Sequence, residues 1–269
     1  EKIAIVTNKP QTTRNRICAV VNREGCQFVF LDTPGLHKAR TRLGDYMVKV
    51  VKESVADVDA VLLLVEPIPH IGGPEAELIR RIKELNVPAV LVINKIDTVE
   101  KEELLSVMQV YGAAHDFAAI VPISAKRNEG VDELLGLLAQ FLPEGPQLFP
   151  EDMVTDQPER QVCAEIIREK LLLCLDKEIP HGTAVEITTF SERDDGIIDL
   201  DATIYCEKAS HKGIIIGKGG AMLKKISTLA RTDIEAFMGT KVFLQTWVKV
   251  KENWRDNMNL IKNFGYRDE

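Results

Sequence analysis

The sequence predicts an α/β fold with a doubly wound, mostly parallel sheet, followed by a smaller α+β domain. Short apolar runs of strand length alternate with segments of helical periodicity through the first half of the chain. A segment at 143–158, rich in proline and acidic residues, lacks apolar periodicity and marks a linker. Beyond it, the order of elements becomes αββααβ with a helical tail. We therefore expect a first domain at 1–142, a flexible linker at 143–158 and a second domain at 159–269.

In the first domain, a hairpin is expected first, because two strand-like runs flank Glu24-Gly25. Helices and strands then alternate, beginning with a helix, and Pro74 stands where the first turn of a helix accepts proline. The hairpin strands are Ile17–Asn22 and Gln27–Leu31, and the alternating elements are Arg42–Val55, Asp59–Val65, Glu75–Leu85, Val87–Ile93, Lys101–Ala113, Ala119–Ile123 and Val131–Leu142.

The second domain is expected to begin and end with helices around a small sheet. A glycine-rich turn separates its two middle helices. In chain order the expected elements are helix Glu159–Lys177, strands Thr183–Ser191 and Ile197–Cys206, helices Ser210–Ile216 and Ala221–Met238, strand Val242–Val250 and helix Asn253–Asn263.

Composition and charge exclude several classes of protein. No apolar stretch reaches the ~18 residues of a membrane span, and no secretory signal opens the sequence. The cysteines form no Cys-x-x-Cys pair, so neither a zinc site nor a disulfide framework is indicated. We expect Cys18, Cys26 and Cys206 to be buried free thiols in a reducing cytoplasm. The net charge is −7, yet Tyr205–Lys262 carries 11 Lys and Arg against 5 Asp and Glu. This basic region indicates a site for a polyanion, or only a solvated lysine-rich surface.

A polar motif, Asn94-Lys95-Ile96-Asp97, follows the apolar strand that ends at Ile93. Ligands of parallel α/β sheets lie beyond the carboxyl ends of the strands. Asp97 can accept two hydrogen bonds at once, which suits the adjacent N–H and NH2 groups of guanine. The aliphatic stem of Lys95 can lie over a flat ring. The alternative is that Asp97 only caps the next helix.

A second strand end carries Ser124-Ala125-Lys126, which can offer a backbone N–H to the guanine carbonyl or can merely cap a helix. A third carries Asp32-Thr33-Pro34-Gly35. Asp32 can hold Mg2+ through water, and Gly35 lets its backbone N–H approach a terminal phosphate. The alternative is a simple turn.

A proline-broken segment, residues 10–14, precedes the hairpin. Either Thr12 or Thr13 could supply a hydroxyl to the metal when a third phosphate is present, and loss of that phosphate would release the segment. The alternative is a pair of solvated loop threonines.

The second domain contains Gly217-Lys218-Gly219-Gly220, where a backbone can pass close to phosphates with a helix N-terminus behind it. Lys218, Lys224 and Lys225 add positive charge. Some side chains of Ile214, Ile215 and Ile216 can form a floor under unstacked bases, while others must be core. The alternative is a tight turn between two helices. Trp247 and Trp254 could stack on bases, but we expect both to pack in the core.

Together these motifs resemble a known family. The nucleotide motifs are similar to the downstream signatures of a translation-factor-class small GTPase, and the glycine loop after His211-Lys212-Gly213 is similar to that of a type II KH domain. A GTPase domain followed by one KH domain, with Pro10-Gln11-Thr12-Thr13-Arg14 as the switch segment, resembles the Era-type GTPases over essentially the whole chain.

The resemblance implies a P-loop-NTPase-type sheet followed by a type II KH RNA-binding domain. It implies the cofactors GTP or GDP and Mg2+, with Thr13 and Asp32 at the metal. It also implies binding to the 3′ end of small-subunit ribosomal RNA and a role in maturation of the 30S subunit. We expect a monomer in the cytoplasm, with peripheral contact at the inner face of the cell membrane as a further expectation.

Such GTPases carry a G-x-x-x-x-G-K-[ST] loop ahead of the switch segment, where backbone N–H groups and a lysine hold the phosphates. That loop is absent from the sequence, which begins at Glu1. Without it, residues 3–142 would form a sheet that lacks its central strand. We therefore expect the native polypeptide to begin roughly thirty residues upstream, with the first strand and phosphate loop there. A chain that truly began at Glu1 should bind GTP poorly.

Leu36 stands where Ras-like enzymes use a glutamine to orient the attacking water. Since leucine has no hydrogen-bonding group, we assign no catalytic side chain and expect slow intrinsic hydrolysis. We expect His37 to be a solvated loop histidine rather than a base.

We therefore expect a GTP-driven RNA-binding switch. The alternatives are a non-enzymatic RNA-binding assembly module and a membrane-associated GTPase switch whose basic patch contacts acidic lipids.

Overall fold

A computed structural model of the chain describes residues 3–10, 12–23, 25–55 and 58–266. Glu1, Gln11 and Glu24, which entered the sequence interpretation, lie outside the described residues. The predicted alternation of strands and helices is present in the first domain. Its elements are β1 (Ile17–Arg23), β2 (Cys26–Asp32), α1 (Arg42–Ser54), β3 (Val61–Val65), α2 (Gly73–Leu85), β4 (Ala89–Ile93), α3 (Lys101–Ala114), β5 (Ala119–Pro122) and α4 (Val131–Leu138).

The central element of the first domain is β4, which lies between β3 and β5 in a parallel sheet. Every residue of β4 is at most 2 % exposed, because helices and the β1–β2 hairpin cover its two faces. An uninterrupted apolar run is typical of such a strand. The carboxyl ends of β3, β4 and β5 meet at one edge, where Val65 pairs with Ile93 and Ile93 with Pro122.

The β1–β2 hairpin is antiparallel and forms its own two-stranded sheet. It joins the parallel sheet by packing, since Phe28 lies in one apolar cluster with Val90 and Val92. The predicted parallel sheet is therefore confirmed for β3–β5, and the predicted hairpin is present as a separate antiparallel pair.

The linker is a bound segment rather than the flexible tether expected from its prolines. The Gln27 side-chain oxygen accepts the backbone N–H groups of Leu148 and Phe149, each at 2.9 Å. The backbone N–H of Val20 donates to the Val154 carbonyl at 2.9 Å, and the Thr155 hydroxyl donates to the Cys18 carbonyl at 2.7 Å. Polar groups along the hairpin thus fix residues 148–155, which the proline count could not indicate.

The second domain has the predicted αββααβ order. Its sheet runs β6-β7-β8, with β6 antiparallel and β8 parallel to β7. Three helices cover one face, and fully buried side chains such as Ile167, Leu200 and Ile226 join them to the sheet. The elements are α5 (Glu159–Cys174), β6 (Ala184–Glu192), β7 (Ile198–Cys206), α6 (Ala209–Ile216), α7 (Ala221–Met238), β8 (Val242–Val250) and α8 (Met258–Asn263).

The helical tail is broken where one helix was predicted. A short 3-10 turn at Trp254–Asp256 precedes α8. The Asn257 side chain accepts the N–H groups of Asn259 and Leu260 at 3.0 and 3.2 Å, so it caps a new helix instead of continuing the first.

The two domains share an apolar cluster between α1 and the helical tail. Its members from α1 are Leu43, Tyr46, Met47 and Val50, and those from the second domain are Ala184, Tyr205, Trp254, Ile261, Phe264 and Tyr266. Trp254 is fully buried there, and its indole N–H donates to the Gly182 carbonyl at 2.9 Å. The core prediction is therefore confirmed for Trp254.

Trp247 is 58 % exposed, so the core prediction is wrong for this residue. The reason is the two-residue period of β8, an edge strand whose Val242 and Val248 are buried while Phe243 and Trp247 are exposed.

The predicted burial is confirmed for Cys18 and Cys206 and is wrong for Cys26, which is half-buried at the start of β2. Within the described part of the chain, no helix is both long and apolar enough to cross a bilayer.

The two tryptophans offer a matched test of the shared cluster. Trp254→Ala should lower the free energy of unfolding by about 3–5 kcal/mol, since it removes a fully buried ring. Trp247→Ala should change it by no more than about 0.5 kcal/mol. Urea unfolding followed by circular dichroism measures both. Equal losses would contradict the assignment of Trp254 to the shared core.

Candidate functional site

Asn94, the first residue after β4, connects two of the predicted loops. Its side-chain oxygen accepts the backbone N–H of Lys95 at 2.8 Å and that of Ala125 at 3.0 Å. Its own backbone N–H donates to the Val65 carbonyl at 2.9 Å. One amide therefore fixes the loops after β4 and β5 to each other.

Asp97 and Ser124 form the second contact between these loops. The buried Ser124 hydroxyl donates to Asp97 Oδ1 at 2.7 Å. This hydrogen bond, with smaller help from Arg127 and Lys126, holds the pKa of Asp97 below its ordinary value. Asp97 is thus an ionised acceptor at neutral pH, as pairing with a base carrying two donors requires.

The capping alternatives are wrong for this pair. The residue before α3 is Glu100 and the residue before α4 is Gly130, and neither helix start receives a side-chain cap from Asp97 or Ser124. Lys95 adopts φ +64° in the left-handed region and remains exposed, with its ammonium paired to Glu66. Lys126 is exposed beside it.

Thr13 and Asp32 form a separate cluster at the end of β2. The Thr13 hydroxyl donates to Asp32 Oδ2 at 3.1 Å. The Thr12 hydroxyl instead donates to the Lys9 carbonyl at 2.7 Å, within its own segment. The structure therefore brings Thr13, and not Thr12, to the predicted metal carboxylate, which the sequence left open.

Partial desolvation raises the pKa of Asp32, while the hydrogen bonds from Thr13 and the Thr33 backbone lower it. Pro34 next to it is buried. Gly35 is exposed, with no neighbour within 4 Å of where a Cβ would stand, so the space beside this residue is open to a phosphate.

A hydroxyl and a carboxylate are the hard oxygen ligands that Mg2+ prefers, and Mg2+ usually keeps several water or phosphate ligands besides. Thr13 and Asp32 therefore fit this ion. Among the described residues, no group of three or more His, Cys, Asp and Glu side chains forms a metal cluster, so phosphate oxygens would have to complete the set.

The two clusters are not joined by any hydrogen bond between described residues. Leu36 and His37 follow Gly35 and are half-buried. His37 Nδ1 lies 3.0 Å from the Gly35 carbonyl, which orients the ring within the loop. The expectation that His37 is no base, and that Leu36 leaves hydrolysis slow, stays a prediction.

The glycine loop of the second domain connects α6 to α7. Gly217 ends α6 at φ +74°, and a Cβ there would lie 2.7 Å from the Met222 Cβ. Gly219 and Gly220 also have positive φ, at +59° and +80°. The loop is therefore a glycine-dependent turn whose exposed backbone leads directly into the N-terminus of α7.

The three isoleucines before this loop have different environments. Ile215 is fully buried in the core, Ile214 is 50 % exposed and Ile216 is half-buried against the core. The exposed Ile214 side chain is therefore available for contact with bases, and the buried Ile215 side chain is not. Lys218, Lys224 and Lys225 are all exposed around the loop.

Sequence reasoning missed two buried arginines beside the switch segment. Arg14 is 4 % exposed and Arg168 is 1 % exposed. Arg168 Nη2 donates to the Thr12 carbonyl, and Arg14 donates to carbonyls of the second domain. A signal existed for Arg168, which lies on the apolar face of α5 between Ile167 and Leu171. No periodicity surrounds Arg14.

Two family profiles match the chain. One, described as a 50S ribosome-binding GTPase, matches residues 1–95, and one described as a KH domain matches residues 178–255. The first covers the switch segment, the Asp32 loop and the first two residues of the Asn94–Asp97 motif, and the second covers the glycine loop.

Curated relatives include the GTPase Era of Ruminiclostridium cellulolyticum, 52 % identical over 99 % of this chain and 90 % of its own length. The GTPase Era of Alkaliphilus metalliredigens is 51 % identical with the same coverage. Similar solved structures include an Aquifex aeolicus Era variant bound to GDP and AlF4−, with a TM-score of 0.94, 36 % identity, and coverage of 99 % of this chain and 91 % of the other. An Era complex with MgGDPNP and nucleotides 1506–1542 of 16S ribosomal RNA has a TM-score of 0.95 at the same identity and coverage.

The Ser124–Asp97 hydrogen bond should determine the pH at which GDP affinity is lost. Ser124→Ala removes the donor that lowers the Asp97 pKa, so this pKa should rise toward its ordinary value. The predicted role of Asp97 as the acceptor for guanine requires the ionised carboxylate, so GDP affinity should be lost as pH falls through the Asp97 pKa, and this loss should occur at a higher pH in the variant. Carbon-13 NMR titration of the Asp97 carboxyl measures the shift. An unchanged Asp97 pKa would show that the hydroxyl does not stabilise the charged form.

Proposed function

Because the chain belongs to the Era family of GTPases, which hydrolyse GTP, we propose that it is a GTP-driven switch that binds the 3′ end of small-subunit ribosomal RNA. In this role it assists maturation of the 30S subunit. The observation that carries the nucleotide half is the contact network of Asn94, Asp97, Ser124 and Ala125.

In the proposed site, Asp97 accepts the N1–H and 2-amino donors of guanine. The Ala125 N–H donates to the Asn94 side chain and so is not the free donor predicted for the guanine carbonyl. The Lys95 stem covers the face of the base. At the other end, Thr13 and Asp32 contact Mg2+ on GTP, and the Gly35 N–H approaches the terminal phosphate. Loss of that phosphate removes the contact that holds the switch segment at the metal, so the segment is released. GTP and GDP therefore select different arrangements of residues 10–14.

The RNA half rests on the glycine loop between α6 and α7. Its positive-φ backbone, the start of α7 and the exposed Lys218, Lys224 and Lys225 suit a phosphate backbone. Ile214 beside the loop offers an apolar surface to unstacked bases. The Era complex with nucleotides 1506–1542 of 16S ribosomal RNA supports the choice of ligand.

We propose further that the protein is monomeric and cytoplasmic. The same exposed lysines make peripheral contact with acidic lipids at the inner face of the cell membrane. Their charge is what favours the membrane contact, and RNA would compete with vesicles for it.

Asp97→Asn tests the nucleotide half. The change replaces an ionised acceptor by an amide, so GDP affinity should fall by roughly 10- to 100-fold, the worth of hydrogen bonds to a charged group. Xanthine nucleotides, which present an acceptor at the changed position, should lose less or gain affinity. Fluorescence titration with labelled GDP and XDP gives both constants. Unchanged guanine preference in the variant would favour a non-enzymatic scaffold.

The switch itself is tested by RNA affinity in three states. A single-stranded RNA carrying the 3′ end of small-subunit ribosomal RNA is titrated with protein bound to GDP, to a GTP analogue and to no nucleotide. We expect at least a roughly fivefold difference between the analogue and GDP states, which is the low end of typical coupling energies. Identical affinity in all three states would contradict the switch.

A further inference from the structure

We propose that Arg14 is a positioning residue for GTP hydrolysis: the second domain holds its guanidinium and thereby places the Thr13 hydroxyl beside Asp32. The proposal rests on the proposed function, in which Thr13 and Asp32 contact the metal of bound GTP. It adds the residue through which the RNA-binding domain controls that contact.

The Arg14 guanidinium is buried inside the second domain, although its backbone belongs to the switch segment. Nη1 donates to the Thr183 carbonyl at 2.8 Å and to the Tyr266 hydroxyl at 3.1 Å. Nη2 donates to the His181 carbonyl at 2.8 Å. The guanidinium carbon also lies 5.8 Å from the Trp254 ring and 5.7 Å from the Tyr266 ring. Three oxygens and two aromatic faces thus replace water around the charge.

This binding site fits an arginine side chain, and only in the observed arrangement of the two domains. A buried charge is costly unless its donors are satisfied, so the guanidinium is stable only while the His181 and Thr183 carbonyls face it. A lysine ammonium has no planar fork and cannot reproduce the same set of bonds. Any shift of the second domain away from residue 14 therefore removes the groups that stabilise the charge.

Thr13 is fixed from both sides by the second domain. On one side, Arg168 donates to the Thr12 carbonyl, and the Arg168 guanidinium is itself held by the Glu165 carboxylate at 2.8 and 2.6 Å. On the other side lies the Arg14 anchor. Between them, the Thr13 hydroxyl donates to Asp32. Thr13, which contacts the Asp32 carboxylate, therefore lies between two contacts with the second domain, one at Thr12 and one at Arg14.

The loop that carries Asp32 is linked to the same place. Helix α1, which follows it, packs its Tyr46 against the cluster of Trp254 and Tyr266. The Tyr46 hydroxyl donates to the Asn15 side-chain oxygen at 3.0 Å, and the Asn15 amide donates to the Gly265 carbonyl at 3.2 Å. The switch segment thus contacts the helical tail of the second domain directly, and the Asp32 loop is connected to it through α1.

A purely structural role for Arg14 gives a different outcome from a positioning role. Structural damage would weaken GDP and GTP binding together, because both need the guanine cluster. Loss of positioning would affect only what depends on the third phosphate, since GDP does not require Thr13 at the metal.

The test compares variants of the full chain for three quantities: GDP affinity, affinity for a non-hydrolysable GTP analogue with Mg2+, and kcat. Arg14→Ala should lower kcat and the analogue-over-GDP preference by about tenfold or more, because small misplacements are costly in catalysis, with GDP affinity within about twofold. Arg14→Lys should recover part of the loss. Tyr266→Phe, which removes one acceptor and keeps the ring, should reduce both quantities a few-fold. Arg23→Ala is the matched control, because the exposed Arg23 side chain at the end of β1 pairs with the exposed Asp132 of α4 within the first domain, so this variant should match the wild type.

Thr13→Ala separates this proposal from the proposed function. If Thr13→Ala abolishes the preference for the analogue over GDP and Arg14→Ala does not, the positioning role of Arg14 is wrong, and the proposed metal site of Thr13 and Asp32 is supported. If neither change alters the preference, the metal site itself is wrong. In the double variant the losses should not add, because both act on one contact; additive losses would also overturn the proposal. A parallel loss of GDP affinity in Arg14→Ala and Tyr266→Phe would show that the role is structural.

Discussion

The buried Arg14 guanidinium is the constraint on which the relation between the two domains depends. Its backbone belongs to the predicted switch segment, yet its charge is stabilised by carbonyls and rings of the second domain. If the guanidinium leaves this site, it becomes exposed to water, and the His181 and Thr183 carbonyls lose their hydrogen-bond donor. The arrangement of the domains and the conformation of the switch segment are therefore parts of one equilibrium rather than two.

The two nucleotide clusters differ in how they are fixed, and the difference suits their tasks. The guanine cluster is held within the first domain, by one amide and one hydroxyl between neighbouring loops. It should keep its shape whichever nucleotide is bound. The Thr13–Asp32 cluster is held across the domain boundary and so responds to domain position. In the proposed function, specificity for the base and sensitivity to the third phosphate therefore belong to separate parts of the structure.

Most of the fold and the loops of the site could be predicted from the sequence, because they follow from local patterns. The unbroken apolar run of β4 and the polar residues after it determine both the buried strand and the position of the ligand groups. The glycine loop between α6 and α7 is similarly local, since positive φ requires glycine. What failed depends on distant contacts: Trp247 is exposed because it alternates onto the face of β8 opposite the buried Val242 and Val248, and the bound linker follows from Gln27 and Thr155. Arg14 was missed for the same reason, since its partners lie more than 160 residues away in sequence.

The attachment of residues 148–155 to the hairpin also bears on how the chain can be cut. A protease needs a stretch of extended backbone that can leave the surface and enter its cleft. Here, backbone N–H and carbonyl groups of this stretch are engaged by Val20, Gln27 and Asn22. Cleavage within residues 148–155 would first require these bonds to open, so this part of the proline-rich connection, which composition marks as the most vulnerable region, is protected for as long as the hairpin stays folded.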